Sequence, residues 1–184
     1  MHDQEQGPEA LLQRALARQE AGETAEALQL LNVLLKGHPR HPMGLLCRGF
    51  LRVKVLDVEG ALVDWEQAVE LDPSLVRASE GPDLKPAVEN ALQQLKFAAT
   101  VDPTDAGFQL YLGRAYAVFG RYALALQAYA SAQRLNPELW EAGEGCATIY
   151  LQLGQQEQAV ATMARLVEAN PNSAFLNYRL GTLY

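Results

Sequence analysis

The sequence predicts an all-α chain organised as a solenoid of helix-turn-helix repeats. Prolines 39, 73, 103, 137 and 171 recur at intervals of 34, 30, 34 and 34 residues. Twelve residues before each stands an alanine: Ala27, Ala61, Ala91, Ala125 and Ala159. Between these marks the apolar residues follow a helical period. Two residue types held in one phase along most of a chain define a repeat, and the repeat sets the architecture. Arrays of this kind build long surfaces for other molecules.

Residues 1–7 are polar and acidic and are expected to form a frayed N-terminus. The array is expected to occupy 8–184 as a single domain. Its first unit, 8–41, keeps Ala15, Gly22, Ala27, Leu31 and Pro39, and its second, 42–75, keeps Gly49, Ala61, Trp65, Ala68 and Pro73. The third, 76–105, is irregular. Its second helix is intact in Ala91, Leu95, Ala98 and Pro103, while Gly81-Pro82 and Pro86 interrupt the first. A shortened helix from Ser74 to Glu80 and a loop from Gly81 to Lys85 are expected there. Such a departure marks either a decayed repeat kept for its second helix or a functional place.

The fourth unit, 106–139, is the clearest. One helix covers Gly107 to Phe119 and stops at Gly120, a residue suited to a helix C-cap. A second covers Arg121 to Leu135 and stops at Asn136-Pro137, because proline disfavours helical geometry in the residue before it. Gly113 and Ala125 let the two helices approach closely, while Leu112, Tyr116 and Tyr129 fill the space around them. The fifth unit, 140–173, repeats the plan with Ala147, Tyr150, Gly154, Ala159, Met163 and Pro171. The last segment, 174–184, supplies one further first helix, rich in apolar side chains such as Phe175, Leu176, Tyr178 and Leu183. Three readings stand for it: a cap with apolar surface left over, a cut from a longer protein, or an end that packs on another copy.

The net charge is -7, from 15 basic and 22 acidic residues. That balance argues against nucleic acid or anionic lipid as a general partner, since both reward a basic face. No stretch approaches the ~20 apolar residues that span a bilayer. No basic segment followed by an apolar run opens the chain, so a cytoplasmic location is expected. Cys47 and Cys146 lie on different predicted helices and read as buried apolar residues.

No catalytic constellation is visible. His38 and His41 flank Pro39-Arg40 in an inter-repeat turn and lack further ligands of a metal-binding type nearby. The glycines punctuate helices and form neither a phosphate loop nor a dinucleotide fingerprint. Glu23, Glu26, Asp64 and Glu66 read as solvated surface of the second helices. No catalytic residue, cofactor or metal is expected, and the chain is read as a non-enzyme. Arg14, Arg18, Arg48 and Arg52 stand where later units place residues such as Leu112 and Tyr116. Either their stems cover apolar surface while the heads reach a carboxylate such as Asp57 or Glu59, or they form a basic strip for an acidic partner.

Leu112, Gly113, Tyr116, Gly120, Ala125, Tyr129, Ala132 and Pro137 have the spacing of the tetratricopeptide-repeat signature. From Pro8 to Tyr184 the chain resembles that family, departing from it at Cys146 and Leu166, where leucine and alanine are usual. The resemblance implies a right-handed superhelix whose first helices line a groove for an extended peptide or an amphipathic helix of another protein. Carried over by position, the groove comprises Leu12, Leu16, Met43, Leu46, Phe50, Leu110, Arg114, Glu141, Glu144, Thr148, Phe175 and Tyr178. The subgroup that clamps chaperone tails uses lysines and asparagines where this chain has Leu12, Leu16, Leu46 and Phe50. An apolar partner segment is therefore expected in place of a chaperone tail. The expected role is an adaptor or assembly scaffold; the alternatives are self-association through the C-terminal helix and a regulatory sensor of a peptide or metabolite.

Overall fold

The computed structural model describes residues 7–183. Among the described residues the chain is all-α, with no strand. The helices run in pairs: α1 (Pro8–Glu20) with α2 (Thr24–Gly37), and α3 (Pro42–Lys54) with α4 (Val58–Leu71). Then come α5 (Ser74–Ala78), α6 (Lys85–Val101), α7 (Ala106–Val118) with α8 (Tyr122–Leu135), α9 (Trp140–Gln152) with α10 (Gln156–Ala169), and α11 (Ala174–Gly181). The expected frayed segment lies outside the described residues apart from Gly7, as does the final Tyr184. Two compact units, Met1–Gln94 and Leu95–Tyr184, divide the chain within α6.

The helix boundaries follow local chemistry. Pro8 and Pro42 sit in the first turns of α1 and α3, where a missing N–H costs nothing. His41 Nδ1 accepts from the Gly44 N–H at 3.0 Å, and Asp57 accepts from the Gly60 N–H at 3.0 Å, satisfying donors a helix leaves unpaired at its start. Asp105 and Ser173 do the same for α7 and α11. Between first and second helices the chain turns through a left-handed residue: Gly22 at φ 80°, Gly120 at 70° and Gly154 at 71°. The turn between α3 and α4 uses Leu56 instead, at φ 64°. In the third unit a short α5 is followed by turns up to α6, which begins at Lys85. Ser79 is buried there, and its hydroxyl donates to the Val76 carbonyl at 2.7 Å.

In the N-terminal unit the core of the second repeat forms around Trp65, which is fully buried. Its indole N–H donates to the Leu46 carbonyl at 3.3 Å, and its ring lies 5.5 Å from that of Phe50. A β-carbon at Gly49 would overlap the indole, so glycine is what admits the tryptophan. The same pairing recurs along the chain. Gly49 faces Trp65 and Gly113 faces Tyr129, Ala147 and Met163 share a core cluster, and Ala15 and Leu31 hold the same repeat positions. All four large partners are buried, and glycine admits the aromatic rings where alanine admits the aliphatic chains.

One expectation fails in this unit. Asp64, read as solvated surface, is only 1% exposed. Arg48 grips its two oxygens at 2.8 and 2.7 Å, and Arg52 reaches it at 3.0 Å. Arg48 also donates to Asn32 of α2 at 3.0 Å, which ties the first repeat to the second. Two guanidinium groups neutralise the buried carboxylate and fill its lone pairs, which offsets much of the cost of taking it out of water. Arg52 also pairs with the foreseen Asp57, at 3.3 Å. The basic strip is thus absent at Arg48 and Arg52, whose charges are spent inside the repeat. Arg18 turns to Glu23 at 2.6 Å and Glu26 at 3.0 Å.

In the C-terminal unit Tyr129 is the central wedge. Its ring lies between α7 and α9: a β-carbon at Gly113 would come within 2.5 Å of it, and one at Gly145 within 2.6 Å. Around it Ala125, Ala132, Ala142, Cys146 and Ile149 form a buried cluster. A second cluster joins Ala147, Met163, Leu166 and Leu176, bringing α11 onto α9 and α10. Both cysteines are free and buried.

Candidate functional site

The C-terminal unit sets three first helices, α7, α9 and α11, at one repeat spacing. Residues 34 apart in sequence occupy equivalent positions, giving three rows: Gly107–Glu141–Phe175, Leu110–Glu144–Tyr178 and Arg114–Thr148–Thr182. Two contacts fix α11 beside α9. Arg179 donates to Glu144 at 2.9 Å, and the rings of Trp140 and Phe175 stand 5.3 Å apart at 57°. Tyr178 is 71% exposed and Phe175 47%, which is unusual for aromatic side chains on a packed helix. Glu141 is exposed, while Glu144, Thr148, Arg114 and Leu110 are half-buried. The face is therefore mixed: aromatic on α11, carboxylate and hydroxyl on α9, leucine and arginine on α7.

In the N-terminal unit the expected groove set separates. Leu46 is 1% exposed, Phe50 7% and Leu12 9%, so these three belong to the core and offer a partner almost no surface. Leu16 and Met43 remain half-buried. Helical spacing identifies the apolar sides of a first helix, but not which of them a neighbouring repeat covers. Buried residues occupy most of α3.

Sequence reasoning misses Arg179 and Trp140. The signal lay in the repeat itself, where Glu144 and Tyr178 are equivalent and Arg179 follows Tyr178 directly, one helix across from the carboxylate.

The chemistry of the molecule is quiet elsewhere. Burial pushes both thiols up to about 11, with the Arg165 cation opposing the shift at Cys146. Among the described residues no group of three or more His, Cys, Asp or Glu is arranged to hold a metal ion. Among them too, no helix is long and apolar enough to cross a membrane.

Tetratricopeptide-repeat family models match residues 9–41, 88–139 and 119–177. Superkiller protein 3 of Schizosaccharomyces pombe is 30% identical over 94 residues, which is 51% of this chain and 7% of that protein. The chain thus spans a small fraction of that relative's length. A thermophilic TPR protein of Thermus thermophilus is 26% identical, covers 96% of this chain and 98% of its own, and superposes with a TM-score of 0.51. A form of MamA from Desulfovibrio magneticus RS-1 is 18% identical over 91% of this chain and 97% of its own, with a TM-score of 0.45. The Thermus likeness agrees with a helical-repeat solenoid. The family matches fall on the helix pairs described above, and the chain belongs to the tetratricopeptide-repeat family.

Proposed function

We propose that this chain is a non-catalytic adaptor or assembly scaffold that binds a segment of another protein on the first-helix face of its C-terminal unit. Tetratricopeptide-repeat proteins mediate protein–protein interaction, and their fold is typically a non-catalytic scaffold. The observation that carries the placement is the exposed pair Phe175 and Tyr178 beside Glu141, Glu144 and Thr148. Large aromatic side chains offer contact area at low entropic cost, which is why they anchor interfaces. Leu110 and Arg114 extend the face onto α7, and Leu16 and Met43 are the remaining accessible members of the set in the N-terminal unit. The partner is a peptide or amphipathic helix, with nucleic acid disfavoured by the charge of -7. A transient contact of this kind corresponds to a micromolar affinity, about -8 kcal/mol.

The test is affinity selection of a random synthetic peptide pool on the immobilised full chain and on a Thr148→Trp variant. Thr148 is half-buried in the middle of the face, and a bulky residue there blocks it. Enrichment lost in the variant supports the placement; identical enrichment on both places binding elsewhere. A second reading, self-association through α11, is favoured by the same exposure of Tyr178. Light scattering over a concentration series separates the two, since a monomer throughout removes self-association.

A further inference from the structure

Resting on that reading, we infer that the occupant of this face is an amphipathic helix that lays an apolar, uncharged side against Phe175 and Tyr178. Most polar side chains of the face are already committed. Arg179 donates to Glu144 at 2.9 Å, the Thr182 hydroxyl donates to the Arg179 carbonyl at 2.7 Å, and Arg114 also has a partner. What remains is the exposed Glu141, Thr148 and the Tyr178 hydroxyl. An extended segment brings an N–H and a C=O with every residue, and those turned toward the protein lose their water on docking. Three scattered groups cannot replace that water. A helix closes its backbone hydrogen bonds within itself and needs only contact area from the face.

Charge on the face is balanced. Glu141 and Glu144 are offset by Arg114 and Arg179, and the C-terminal unit carries six basic and seven acidic residues, a net of -1. A field so nearly neutral favours neither sign of partner. A charged side chain pressed against the rings would shed water with no countercharge to replace it. A pair with the exposed Glu141 stays in solvent, where such pairs are worth little. Apolar area on Phe175 and Tyr178 is what the face rewards.

Four fluorescent peptides of about 18 residues, long enough to hold helical structure, test this by anisotropy on the full chain. Three carry a leucine side backed by glutamine, by lysine or by glutamate. The fourth is the leucine–glutamine peptide with proline at two central glutamines, which keeps every leucine and breaks the helix. The leucine–glutamine peptide gains helical circular dichroism on the protein and binds about tenfold tighter than its proline form. The lysine and glutamate peptides bind within about threefold of it, and added salt moves none of the three by more than that. Tyr178→Ala and Thr148→Trp each weaken the leucine–glutamine peptide by about tenfold, while both variants keep their own helices. A proline peptide within about threefold of its parent, and abolished by Thr148→Trp, overturns the helix while the face stands. A lysine or glutamate peptide more than about threefold tighter than the glutamine one overturns the uncharged contact. Binding indifferent to both substitutions, or no binding by any peptide, overturns the face together with the inference.

Discussion

Leu56 carries a cost that its counterparts avoid. At φ 64° its β-carbon crowds the backbone, whereas Gly22, Gly120 and Gly154 take the same turn without one. The left-handed conformation costs an L-residue about 1–2 kcal/mol, and glycine's greater freedom in the unfolded chain returns part of that. With 81% of its surface exposed, the leucine has little packing to lose. Leu56→Gly should raise stability by about 0.5–1 kcal/mol in urea denaturation, and a loss would mean the side chain has a packing role. Gly145 presents the opposite case. A β-carbon there would meet the Tyr129 ring at 2.6 Å, and Gly113 closes the other side. Gly145→Ala should cost about 1–3 kcal/mol by overpacking, although alanine is the better helix former. The thiols give a third residue-scale test. Burial raises Cys47 and Cys146 from 9.0 to about 11, so the unfolded chain releases its thiol protons first. Their stabilising contribution is complete below about pH 9 and falls as pH rises toward 11. Labelling by a thiol reagent near neutral pH should track chain opening, and rapid labelling of the native protein would contradict their burial.

Among the elements, α3 and α4 depend on charge where α7 and α8 depend on apolar packing. Arg48, Arg52 and Asp64 stand at the repeat positions of Leu112, Tyr116 and Ala128. Removing only the buried carboxylate, as in Asp64→Ala, leaves two guanidinium groups without it and should cost about 3–5 kcal/mol. Transplanting the apolar set, R48L with R52Y and D64A, should recover most of that loss, because replacing a whole buried ionic group is often neutral or better. Thermal melts of the single and triple variants check this, and a triple variant no better than the single would refute the equivalence. The same elements show what the amino-acid sequence makes legible. Ala27, Ala61, Ala125 and Ala159 all reach 0% exposure, since a small residue at the helix crossing is a local requirement that periodicity displays. Asp64 looks like any surface carboxylate until a helix sixteen residues earlier brings two arginines to it. Leu46 and Phe50 fall on the expected groove because spacing cannot tell a side open to solvent from one closed by a neighbour. Glu144 is expected on the face from its repeat position, but its pairing with Arg179 depends on how successive repeats dock. The short α5 was readable from Gly81-Pro82 and Pro86, which prevent a helix of normal length.

For the whole molecule, the functional claim is that repeats built on small–large pairs leave one first-helix face open to another polypeptide. The core consumes most apolar residues of α3, while α11 keeps two aromatic rings in solvent. On the proposed reading these rings are the contact surface for a partner segment. Amide chemical-shift mapping of the isotope-labelled full chain, titrated with a peptide enriched from the random pool, is the decisive check of that claim. Saturable shifts clustered at Leu110, Glu141, Glu144, Thr148, Phe175 and Tyr178 are expected, with the outer faces of α8 and α10 unchanged. Shifts centred on those outer faces, or none at any peptide concentration, would contradict it.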